Sequence, residues 1–222
     1  VAQKAVAAGF QAINFADHHT ADEVRESVAM MKPDSLGSGR FGYPGRRYIG
    51  TQHRLSQINH ARRLDGIVPC FSNEKPEAME NIEEICSVPG VDMVQFGPSD
   101  YSMSAGKNRK EYAEECRAAE RRMIEADVKI VDAVCEILDA RIPLASRNPD
   151  IAAICDTKHR MIILNRIDMA DPAMTKRWAE HFRAKGYSVL QTDCKTKKGI
   201  SGFVPAVRAL LSEKLALYAE KG

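Results

Sequence analysis

Glu74 and Asp100 each follow an apolar run of strand length, at the point where the chain is due to turn into a helix. In a parallel α/β sheet both would stand at the C-terminal strand ends, where ligands bind. Two carboxylates there can hold a hard divalent cation, with water completing its shell. Gly97-Pro98-Ser99 reads as a tight turn that aims Asp100. Asp17, His18 and His19 close an earlier strand, and the two histidines are candidate bases beside polar-loop readings. Further along, Asn165 and Asp168 lie three apart at the end of the apolar run 161–165. Such a carboxylate can accept from the ring N–H and exocyclic amine of guanine while the amide orients the base. Asn and Asp are also ordinary turn residues at strand ends.

The elements that would position these groups alternate strand and helix. Apolar runs at 11–16, 67–71, 92–96, 133–139, 161–165 and 187–192 read as strands. Amphipathic stretches at 1–8, 20–31, 51–64, 76–87, 109–132, 148–155, 172–185 and 202–220 read as helices. Thr20 with Glu23 forms a capping box. Asp171-Pro172 supplies an N-cap and a proline at the first helical position. Gly186 is a helix stop.

This order implies an α/β protein with about six parallel strands. Six are too few for a complete eight-fold barrel. The expected architecture is an open, doubly wound, flavodoxin- or Rossmann-like three-layer sandwich, with an incomplete TIM-barrel-like sheet as the alternative. No Pro/Gly/Ser-rich linker interrupts the middle, so residues 1–222 are expected to form one integrated domain.

The chain has 222 residues and is 44% hydrophobic, ample for a core, and its formal net charge of +2 gives no electrostatic case for nucleic acid. The six cysteines form no C-x-x-C pair, which suits a reducing, cytoplasmic setting. No run is long and apolar enough for a membrane span. The first nine residues read as a helix ending at Gly9 rather than as a signal peptide. The loop Leu36-Gly37-Ser38-Gly39-Arg40-Phe41-Gly42-Tyr43-Pro44-Gly45 is glycine-rich but lacks phosphate-loop spacing.

The stretch from Glu74 through Glu84-Ile85-Cys86 and Gly97-Pro98-Ser99-Asp100 resembles the HpcH/HpaI family of class II aldolases, and the resemblance can be followed over about residues 1–118. It implies a barrel fold, with Glu74 and Asp100 as ligands of a divalent metal, Mg or Mn. In that family the metal and an arginine hold a pyruvate enolate during retro-aldol cleavage. The family's arginine and its histidine–acid base have no match in this chain, and Cys70-Phe71-Ser72-Asn73-Glu74 departs from the usual run ending Ile-Glu.

The stretch from Arg122 to Pro149, above all Asp139-Ala140-Arg141-Ile142-Pro143-Leu144-Ala145-Ser146-Arg147-Asn148-Pro149, is similar to the start of the YlqF/RbgA ribosome-assembly GTPases. That resemblance runs from about 119 to 222. It implies a circularly permuted GTPase order, in which Asn165, Arg166 and Asp168 match the guanine-reading motif, Arg166 standing where lysine is usual. Asp193-Cys194-Lys195 falls at the second base-contact loop. No G-x-x-x-x-G-K-[ST] occurs in the sequence, so hydrolysis of GTP is not expected.

Two partial resemblances meeting inside a charged helical stretch imply a recombined, engineered chimera with no intact activity. A residual metal-dependent pyruvate aldolase and a guanine-nucleotide-binding module without hydrolysis are the alternatives. No resident cofactor is expected; a vestigial divalent metal or GDP is the most the two sites would hold. No nucleic acid or membrane partner is expected, and an unpaired sheet edge would favour a homodimer.

Overall fold

The structure, a computed structural model, describes residues 1–42 and 55–221. The chain divides into two compact units, Val1–Ile130 and Val131–Gly222. The α/β class with parallel strands is as the sequence implies. The six strands form two three-stranded sheets, however, rather than one six-stranded sheet. Each strand bonds only to its neighbours in sequence within its own unit, which fits the partial-barrel alternative over the open doubly wound one.

In the first unit β1 (Ala12–Phe15), β2 (Val68–Asn73) and β3 (Met93–Phe96) lie in that order, all parallel. Phe15 is level with Phe71, and Asn73 with Phe96. The C-terminal ends of all three strands therefore face one edge. Around them run α1 (Ala2–Ala7), α2 (Ala21–Met31), α3 (Gln57–Asp65), α4 (Pro76–Glu80), α5 (Ile82–Cys86), α6 (Pro98–Ser104) and α7 (Ala113–Ile130). The capping box at the start of α2 is present: Thr20 accepts from the Glu23 N–H, and Glu23 accepts from the Thr20 N–H. On α7, Cys116, Ala119, Met123 and Ala126 repeat at helical spacing and pack on Met79, Ile82 and Phe96. On α2, Val24 and Val28 pack on Phe71 and Ile85.

In the second unit β4 (Ala133–Asp139), β5 (His159–Asn165) and β6 (Ser188–Gln191) are again parallel and in sequence order. The helices are α8 (Ile151–Ile154), α9 (Pro172–Ala184), α10 (Phe203–Leu210) and α11 (Ser212–Lys221). Asp171 caps α9 by accepting from the Met174 N–H. Ala179 and Phe182 of α9 seal Leu138, Ile162 and Leu164 into the core. Next to buried Leu138, Ile137 points the other way and is exposed, as strand alternation requires.

Two expected helices break, and one expected turn is the start of a helix. Residues 76–87 break at Asn81 into α4 and α5, and 202–220 break at Leu211 into α10 and α11. Gly97-Pro98-Ser99 opens α6 rather than making a simple turn, because proline at the first helical position is pre-organised for a helix. Residues 51–54 of the expected 51–64 helix, and Tyr43, Pro44 and Gly45 of the glycine-rich loop, lie outside the described residues.

Candidate functional sites at the two sheet edges

Glu74 comes directly after β2, half-buried, and Asp100 is the third residue of α6, exposed. The structure brings them together at the C-terminal edge of the first sheet. Gly97, between β3 and α6, is the close neighbour: a Cβ there would stand 2.7 Å from Glu74 Oε2 and 2.9 Å from Glu74 Cβ. Glu74 thus lies against the turn that launches Asp100. Burial, then the Asp100 carboxylate, then that of Asp17, push the Glu74 carboxyl above the usual range.

Asp17 is the residue at this edge whose part the sequence did not show. It has a left-handed backbone, φ 61°, which costs an L-residue about 1 kcal/mol. Its Oδ1 takes the Lys75 ammonium at 2.8 Å, and its carboxylate is one of the charges that act on Glu74. The only sequence signal was an acid two residues past a strand and a lysine next to the candidate ligand.

His18 is not free to act as a base in this arrangement. Nδ1 lies 3.0 Å from the Ala16 carbonyl and Nε2 2.7 Å from Ser27 Oγ. A carbonyl only accepts, so the neutral ring donates from Nδ1 and accepts the serine hydroxyl at Nε2. The ring also packs edge-on against Phe15 and Phe71, and burial lowers its pKa. His19 is half-buried and lies beside Glu77, Nδ1 to Oε2 3.4 Å. Asn73, fully buried before Glu74, leaves Oδ1 without a hydrogen bond and points its amide at Met123 Sδ, 4.0 Å away.

At the edge of the second sheet, Asn165 Oδ1 accepts from the Cys194 N–H at 3.1 Å and the Thr192 hydroxyl at 3.3 Å. Arg166 turns the chain with φ 63° and extends toward Asp139, 3.8 Å away. Asp168 is exposed and lines a cavity of about 200 Å³ with Pro172, Thr175, Gln191, Asp193 and Lys198. Asp193 accepts from the Lys195 N–H at 2.9 Å and from the Thr196 hydroxyl; the hydroxyl foremost holds its carboxyl below the usual range. So Asn165 and the 193–195 loop are joined, and Asp168 stands beside them on a cavity.

For a cation, the donors available at this edge are the oxygens of Glu74 and Asp100. Among the described residues no group of three His, Cys, Asp or Glu side chains is arranged to hold a metal ion, so water would supply the other ligands. Hard oxygen donors and accumulated negative charge fit Mg or Mn.

Fold and edge define a class: a parallel α/β protein with carboxylates at its strand ends. Residues 1–141 match the HpcH/HpaI aldolase/citrate lyase family, and the chain belongs to that family. It is also similar to ribosome biogenesis GTPase A of Bacillus cereus, 37% identical over 105 residues, covering 47% of this chain and 36% of that protein. The protein of the same name from Bacillus licheniformis is 39% identical over 105 residues, covering 47% and 37%. The chain thus spans about a third of the length of these curated relatives. Among solved structures, the HpcH/HpaI aldolase of Desulfitobacterium hafniense aligns over 98% of this chain and 67% of its own, at 18% identity and a TM-score of 0.48. The chain thus belongs to one family and is similar, over 105 residues, to proteins of another. Among the described residues no helix is long and apolar enough to cross a membrane.

Proposed function

We propose that the first unit binds a divalent cation between Glu74 and Asp100 and, through it, a small 2-oxo acid, in the manner of a class II aldolase. The observation that carries this reading is the packing of Glu74 on Gly97, which puts its carboxylate beside the turn that presents Asp100. A bound cation would act as a Lewis acid on the carbonyl oxygen of the acid. Glu74 and Asp100 would hold it, and the close approach of Gly97 would limit how Glu74 can turn. Turnover needs a base, and His18 is committed to Ala16 and Ser27; binding without rapid cleavage is the expected behaviour.

A second reading concerns the second unit: recognition of a guanine base at Asn165 and Asp168 without hydrolysis. The Asn165–Cys194 bond, which joins the two loops a base would meet, favours it. A cytoplasmic location suits both readings.

A thermal-shift panel tests them together, comparing no ligand, Mn²⁺ with pyruvate, GDP and ADP. A ligand at 100 times its dissociation constant stabilises the folded state by about 2.7 kcal/mol. A shift with Mn²⁺ and pyruvate that Glu74→Gln abolishes supports the first reading. A shift with GDP but not ADP, lost in Asp168→Asn, supports the second. A sharp transition that no ligand moves would sink both and leave a recombined chain without activity.

A further inference from the structure

Lys75 is the unexplained charge at the first edge. Its ammonium is bonded to Asp17 Oδ1 at 2.8 Å, its side chain is 26% exposed, and that of Asp17 is 70% exposed. A pair so open to water contributes little to stability, no more than the left-handed turn at Asp17 costs. Stability alone does not account for the arrangement. Lys75 also sits next to Glu74 in the chain, and its charge acts on Glu74 and Asp100 as well as on Asp17. The ammonium is thus bonded to a carboxylate just past β1 and follows another, Glu74, at the end of β2. Glu74 is one of the two carboxylates a divalent ion would meet.

We propose that Lys75 is a resident counter-ion of the Glu74–Asp100 site: fastened to Asp17, it competes with the divalent cation and sets how tightly that cation binds. Asp17 is its holder, and is the carboxylate set free to strengthen the site when Lys75 is removed. This rests on the cation reading of Glu74 and Asp100. It goes further in making the affinity of the site a property of two residues that are not its ligands. The physical basis is the repulsion between an ammonium and a divalent ion, which at about 6 Å in a water-like dielectric amounts to about tenfold in binding.

The test is titration with Mn²⁺ alone, reading free Mn²⁺ by electron paramagnetic resonance, on the full chain and on Lys75→Met, Lys75→Met with Asp17→Asn, and Glu74→Gln. The expected result is that Lys75→Met binds Mn²⁺ about tenfold more tightly and that adding Asp17→Asn removes the gain. Unchanged or weaker binding in Lys75→Met overturns the proposal, as does a gain that survives Asp17→Asn. Lys75→Gln, which can keep a hydrogen bond to Asp17 without the charge, must show the same direction and stands in if the methionine variant does not fold. Glu74→Gln separates the two ideas. If it binds Mn²⁺ as the unaltered chain does, the cation site itself is misplaced and the proposal falls with it. If it loses Mn²⁺ while Lys75→Met is unchanged, only the role of Lys75 is lost.

Discussion

Asn165 accepts the backbone N–H of Cys194 through Oδ1 at 3.1 Å, and so ties the end of β5 to the loop that follows β6. The Thr192 hydroxyl reaches the same oxygen. Asn165→Ala removes the acceptor for both and is expected to cost about 1–2 kcal/mol. Urea unfolding reads the loss. Amide exchange at Cys194 should quicken more than exchange in β4, and equal protection in both chains would show that the loop is held by other means.

Gly97 leaves no room for a methyl group. An added Cβ would meet Glu74 Cβ at 2.9 Å, a contact that bending the far end of the glutamate cannot relieve. Gly97→Ala is expected to destabilise the protein by about 1–3 kcal/mol and to weaken Mn²⁺ binding by displacing Glu74. Ordinary stability together with ordinary Mn²⁺ affinity would contradict the placement of Glu74.

Glu136 is held by two guanidiniums, Arg147 Nε at 3.1 Å and Arg160 at 3.4 Å, and its side chain is 9% exposed. Both arginines also donate to the Tyr187 hydroxyl and lie over its ring. Glu136→Gln would leave two largely buried cations without a counter-charge, at a cost of about 3 kcal/mol. Tyr187→Phe removes a neutral acceptor and should cost about 1 kcal/mol. Chemical denaturation of the two variants gives the order, and a larger loss at Tyr187 would reverse this assignment.

Burial lowers the pKa of His18 below its usual value of 6.5 in the folded protein. The unfolded chain therefore takes up the proton first as pH falls through about 6.5. Stability is full above that value and declines toward the lower folded pKa. The thermal midpoint should drop between pH 7 and pH 5, and His18→Gln should flatten part of that slope. His60, whose pKa burial also lowers, acts in the same direction. Nuclear magnetic resonance of the His18 ring should give a titration midpoint under 6.5; one at or above it would show a ring open to water.

All six strands were legible as apolar runs, and 133–139 matches β4 residue for residue. Their division into two sheets was not, because an apolar run declares a strand and not its neighbours. The breaks at Asn81 and Leu211 were hidden inside continuous amphipathic patterns. Pro98 did signal a helix start, but the glycine before it made a turn the easier reading. At the sites, Glu74, Asp100, Asn165 and Asp168 stood out by residue type at strand ends. Asp17 did not, since its role comes from a backbone angle that sequence spacing does not encode. His18 was misleading for the opposite reason: its partners, the Ala16 carbonyl and Ser27, are ordinary residues with no motif.

The order of the strands in each sheet has a consequence for how the chain assembles. Cys70 pairs with Met93, Ala133 with His159 and Met161 with Ser188, all across comparable lengths of chain. Ala12 must instead find Val68, about twice as far along the chain. Doubling a loop costs about 0.6 kcal/mol in closure entropy, a factor of nearly three in the frequency of encounter. β1 is also only four residues long, with few ladder bonds to repay that search. The first strand of the chain is thus the last expected to dock, and the Asp17–Lys75 bond, which lies just beyond it, can close only when the rest of its sheet is already in place.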